Sequence, residues 1–111
     1  MANERMGAVG ELWELHKRAP FPSGLRGTSV SGVEMVMLDA DVAGMVSSWL
    51  STGGSIDDRR RDLLAQREQQ LIRVLEGLTG DEATYYQRLL DMTVLVMTSP
   101  DGPSVDDLPT G

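Results

Sequence analysis

Apolar side chains recur along the first 20 residues at a helical spacing. Ala8, Val9, Leu12, Leu15 and Ala19 share one face with His16, while Glu11, Glu14, Lys17 and Arg18 occupy the others. That pattern predicts an amphipathic helix over about residues 4–19. Pro20 has no N–H to donate and disfavours helical geometry in the residue before it, and Pro22 repeats the instruction, so the helix should stop near Ala19. Gly24, Gly27 and Gly32 then punctuate a turn-rich stretch. The run VEMVML at 33–38 is apolar and β-branched between Gly32 and Asp39, which predicts a strand. A lone strand leaves its backbone groups unpaired, so either residues 25–30 fold back on it as a hairpin or a second subunit supplies the partner.

Beyond that strand the 3.6-residue period returns. Val42, Met45, Val46, Trp49 and Leu50 predict a helix capped by Asp39 or Asp41, and Gly53 and Gly54 supply the left-handed residues that end it. Ser55-Ile-Asp-Asp58 reads as a variant capping box opening a long helix, with Leu63, Leu64, Leu71, Val74, Leu75 and Leu78 inward and Arg59, Arg60, Arg67, Glu68 and Arg73 outward. Gly77 and Gly80 close it, and Thr79 or Asp81 starts a last helix whose apolar residues become dense from Leu89 to Met97. The expected fold is mostly α with a minor β element (α+β): four helices, with a strand or short hairpin between the first and second. A single globular domain over 1–99 should be followed by a disordered acidic tail over 100–111, where DGPSVDDLPTG carries few apolar side chains.

Composition narrows the function classes. At 111 residues the chain holds one modest core, a size at which association with a second copy often adds stability, so a homodimer is expected. Its 17 acidic and 10 basic side chains give a net charge of −7, a field that repels phosphate backbones, so nucleic acid is not expected as a partner. The chain has no cysteine, which removes thiolate chemistry. MANERMGAVGELW lacks a basic segment followed by a long apolar run, and LLDMTVLVM at 89–97 is too short to span a bilayer and contains Asp91. A cytoplasmic protein without membrane association is expected.

Three stretches carry candidate chemistry. VEMVMLDADVAG resembles the first motif of the haloacid dehalogenase superfamily, in which the two aspartates of D-x-D serve as nucleophile and general acid/base. The resemblance implies metal-assisted phosphate chemistry on Asp39 and Asp41. The chain departs from that family: about 70 residues follow the motif, too few for its parallel α/β core, and there is no downstream lysine. Helix capping is the plainer role for either aspartate. His16 stands on an apolar face without a second histidine or a clustered carboxylate, which suits a packed imidazole rather than a base or ligand. Trp13, His16, Lys17, Arg18, Phe21 and Arg26 could together make a cationic, aromatic patch for an anionic or acidic partner. In the plainer alternative Lys17 and Arg18 complement the helix C-terminus and Phe21 folds onto the core. The Asp57-Asp-Arg-Arg-Arg-Asp62 run reads as a solvated helix start, and Met35, Met37, Met45, Met92 and Met97 as core or adaptable surface.

From Leu12 to Met97, ELHKRAPFPSGLRG, VEMVMLDADVAG and the DDRRRDLL helix together look like small actinobacterial proteins with no assigned activity. The resemblance implies a bacterial cytoplasmic setting and transfers no functional residues. Taken together, these features point to a non-enzymatic interaction or regulatory protein that binds another protein and needs no cofactor. The alternative is a Mg2+-dependent phosphate enzyme or ligand binder built on Asp39 and Asp41.

Overall fold

The computed structural model describes residues 2–98, with side chains from residue 4 onward; the acidic tail expected over 100–111 lies outside the described residues. Four helices, α1 (Ala2–Arg18), α2 (Met35–Ser51), α3 (Asp58–Leu75) and α4 (Gly80–Met97), enclose the core, and a two-stranded hairpin, β1 (Ser29–Val30) and β2 (Val33–Glu34), joins α1 to α2. The mostly helical fold with a minor β element is as the apolar periodicity predicts. Helix α4 packs against each of the other three. Its buried face of Tyr86, Leu89, Met92 and Val96 meets Val9, Leu38, Val42, Val46, Trp49, Leu64 and Leu71 in one continuous core.

The hairpin is made within one chain. Val30 pairs with Val33 and Ser29 with Glu34, antiparallel, across a two-residue turn in which Ser31 and Gly32 both have positive φ, 52° and 80°. Positive φ at both central positions matches the right-handed twist of the flanking strands.

The strand expected over 33–38 is cut short. Only Val33 and Glu34 are extended, and Met35 already opens α2. The helix cap is Glu34, not Asp39 or Asp41: its carboxylate accepts from the N–H groups of Val36 and Met37 at 3.2 and 3.0 Å. The physical reason is that Met35, Leu38, Val42, Met45, Val46 and Trp49, all buried, form one stripe at helical spacing. Burying that stripe on α4 outweighs the β-branched preference of two valines. The C-terminus follows expectation. Gly53 and Gly54 adopt positive φ, and the Gly54 N–H returns to the Trp49 carbonyl at 2.8 Å.

Helix α3 is capped by Asp57 rather than Ser55, its Oδ1 accepting from the Arg60 N–H at 2.8 Å. Leu63, expected inward, is exposed, as are Leu15 and Met37; in each case a neighbour one position along takes the core-facing site, Leu64, His16 and Leu38. Beyond the end of α3, Gly77 lies beside Val30 of the hairpin.

Candidate functional site

Three helices meet where α1 ends, and they are tied there by a polar cluster inside the protein. The side chain of Asp39, in the second turn of α2, receives the Tyr85 hydroxyl of α4 on Oδ2 at 2.9 Å. Its Oδ1 lies 2.9 Å from Nε2 of His16 on α1. A carboxylate only accepts, so Nε2 carries the proton toward Asp39. The other ring nitrogen, Nδ1, is buried with no hydrogen-bond partner among the described residues. His16 is 7% exposed. Its carboxylate partner therefore comes from 23 residues away in sequence, although Glu14 stands two positions before it.

Aromatic packing extends the cluster to the surface. The His16 ring lies between Trp13, at 6.0 Å between centroids, and Tyr85, at 4.7 Å. Phe21 then meets Tyr85 edge-on at 5.5 Å and Tyr86 at 6.4 Å, and the Arg26 guanidinium lies 5.2 Å from the centre of the Phe21 ring. Proline on either side of Phe21 stops α1 and turns the chain across α4, which is how the ring reaches two tyrosines more than 60 residues away. Of the six patch residues, Trp13, His16, Phe21 and Arg26 thus form one continuous series through Tyr85. Lys17 instead pairs with Glu14 on the exposed side of α1 at 3.1 Å, and Arg18 is exposed at the helix end.

Both tyrosine hydroxyls are held neutral. Burial raises the pKa of Tyr85, and the hydrogen bond to Asp39 and its negative charge add to the rise, while Arg88 and Arg26 oppose it. Tyr86 is raised by burial and by the charge of Asp39. Its hydroxyl donates to the Met35 carbonyl at 2.6 Å.

Beside this cluster lies a cavity of about 450 Å3 between the Pro20–Pro22 turn and the first half of α4. Phe21 and Tyr85 wall it together with Pro20 and Pro22, and Asp81 and Arg88 supply its charges. Arg88 makes no hydrogen bond or ion pair among the described residues, and its Nη1 is buried. On the other side of Thr84 and Arg88 a second hollow of about 400 Å3 is lined by Leu12, Ala83, Gln87 and Asp91. Asp91 is engaged by Gln87, whose Nε2 donates to it at 2.9 Å.

Asp39 and Asp41 do not converge. Two positions apart on a helix, they project to different sides. Asp41 accepts from Arg67 Nε of α3 at 3.0 Å, while Asp39 serves His16 and Tyr85. Among the described residues no group of three His, Cys, Asp or Glu side chains is placed to hold a metal ion, and no helix is long and apolar enough to cross a membrane.

Tyr85 and Arg88 carry much of this geometry and were not legible as site residues in the sequence. The available signal was a pair of adjacent tyrosines on a helix, of which the core-facing hydroxyls must find acceptors. The chain matches no protein-family model, no curated protein and no solved structure.

Proposed function

We propose that this chain is a small non-enzymatic interaction protein of the cytoplasm, and that it holds its partner protein at the corner where the Pro-Phe-Pro turn crosses α4. The observation that carries this reading is the cavity walled by Phe21 and Tyr85, with Arg88 unpaired at its side and Arg26 stacked on Phe21. Aromatic anchors in a rigid pocket next to arginine are the usual source of binding energy at protein surfaces. In a chain of net charge −7, Arg88 and Arg26 give this corner two cationic points, beside the carboxylate of Asp81, at which an acidic group of a partner can dock. The imidazole, carboxylate and phenol that could have served chemistry are bonded to one another inside the protein, which favours binding over catalysis.

Cross-linking in the native cell, followed by mass spectrometry, tests the corner. Phe21→Ala and Arg26→Glu should remove a discrete cross-linked protein that the wild type captures through this face. An unchanged set of cross-links in both variants would sink the assignment. Self-association belongs to the same reading and draws on a different surface, where Met37, 57% exposed, stands near the start of α2. Light scattering should give a mass near twice 12.1 kDa for the wild type and near 12.1 kDa for Met37→Glu; a monomeric wild type removes that part.

A further inference from the structure

We propose that the two hollows flanking Arg88 form one groove for an extended segment of the partner, in which an acidic side chain lies between two apolar ones. The inference rests on the corner being the binding surface, and it names what that surface recognises.

The carboxylate follows from Arg88. A guanidinium presents planar, paired N–H donors that match a carboxylate edge, and it carries its charge at every relevant pH. Two other partly buried arginines are answered: Arg67 meets Asp41 at 3.0 Å and Gln70 at 3.3 Å, and Arg61 donates to the Met97 carbonyl at 3.4 Å. Arg88 has no such partner among the described residues although one of its nitrogens is buried. Nη1 is closed off from solvent, so an incoming carboxylate meets the part of the guanidinium that borders both hollows and gains from its charge. Each hollow also has one acid, Asp81 in the first and Asp91 in the second, and Gln87 donates to Asp91 at 2.9 Å.

The flanking apolar residues follow from the walls. On one side Pro20, Phe21, Pro22 and Tyr85 present rings and methylenes; on the other, Leu12 and Ala83 do so. Thr84 and Arg88, one helical turn apart, border both hollows, which makes them adjoining compartments along α4. A compact small molecule fills one compartment, whereas an extended peptide places successive same-side residues in both and lays its acid against the ridge. The Thr84 hydroxyl donates to the Gly80 carbonyl at 3.2 Å, so Arg88 is the group left to read the ligand's charge.

Isothermal titration of the full chain with the peptide acetyl-Gly-Leu-Ser-Glu-Ser-Leu-Gly-amide tests this directly, against the same peptide with Gln in place of Glu. The Glu peptide should bind at least tenfold more tightly than the Gln peptide. Arg88→Met keeps the apolar stem, removes the fork and breaks no internal bond, so it should unfold at a urea midpoint no lower than that of the wild type while binding both peptides equally. Equal binding of the two peptides to the wild type, or persistent preference for Glu in Arg88→Met, overturns the proposal. So does 3-phenylpropanoate binding as tightly as the peptide in an Arg88-dependent way, which would make the cavity a small-molecule site. If the peptides fail while Phe21→Ala still loses its cross-linked protein, the corner stands and the acidic motif falls. If the cross-links are also unchanged, both readings fall.

Discussion

Asp39 and Asp41 leave the same turn of α2 and hold it to different neighbours under different conditions. Asp39 reaches the junction of α1, α2 and α4, where His16 is 6% exposed in its side chain and the carboxylate 18%. Asp41 reaches across to Arg67 on α3 with the pair 32% and 22% exposed. The lengths of the two contacts are nearly equal, 2.9 and 3.0 Å. Their energetic weight should differ because water screens the Asp41 pair more than the Asp39 one. Length alone is therefore a poor guide to which contact matters; what counts is what is left behind when the acid is removed.

The largest effect should come from Asp39→Ala. It leaves the His16 Nε2 proton and the Tyr85 hydroxyl without acceptors in an apolar junction, and the loss should be about 3 kcal/mol in urea unfolding. Asp39→Asn keeps one acceptor oxygen and should lose about half as much. A cost below about 1 kcal/mol for the alanine variant would mean that the junction is wetter than its burial implies.

Alkaline pH attacks the same junction from its phenols. Tyr85 and Tyr86 both have pKa values raised by burial and by Asp39. In the unfolded chain each ionises near pH 10. Above that pH the unfolded state releases protons that the folded state keeps, so stability is intact below about pH 10 and falls as pH rises. The slope is at most about 1.4 kcal/mol per pH unit for each tyrosine. Tyr86→Phe should remove one of the two contributions and flatten the fall. At neutral pH the same variant should cost about 1 kcal/mol, because the Met35 carbonyl, at the start of α2, loses its side-chain donor.

This contrast also marks what could be read in the sequence. The four helices, the stop at Pro20, the Gly53-Gly54 terminus and the hairpin as one of two options were legible because periodicity and turn chemistry are local. The start of α2 was not: Val-Glu-Met-Val-Met-Leu has strand composition, and only the alignment of Met35 and Leu38 with Val42, Met45 and Trp49 shows the longer helix. Once that stripe is drawn, Asp39 stands on its buried side, four residues from Met35 and three from Val42. A carboxylate there requires a donor, and His16 on the apolar face of α1 is the matching anomaly. Neither residue is informative alone. The pairing joins helices through space, which no local pattern encodes. The cavity was hidden for a similar reason: Phe21 was visible as a candidate, but Tyr85 and Arg88, which complete its wall, lie in a helix whose first half drew no attention beside its dense apolar end.

The smallest effect should be that of Asp41→Ala. Its partner Arg67 keeps a contact with Gln70 at 3.3 Å and remains partly open to water, so neither residue is stranded by the change. Exposed and half-exposed ion pairs contribute about 0.5 kcal/mol or less and weaken with salt. The variant should therefore unfold within about 0.5 kcal/mol of the wild type in dilute buffer, and the difference should vanish near 1 M NaCl. Asp39→Ala should keep most of its cost at the same salt concentration, since what it removes is an acceptor for two buried donors. A loss for Asp41→Ala that matches Asp39→Ala and survives high salt would erase the distinction between the two sides of α2 and place the Asp41–Arg67 pair among the contacts that hold the fold.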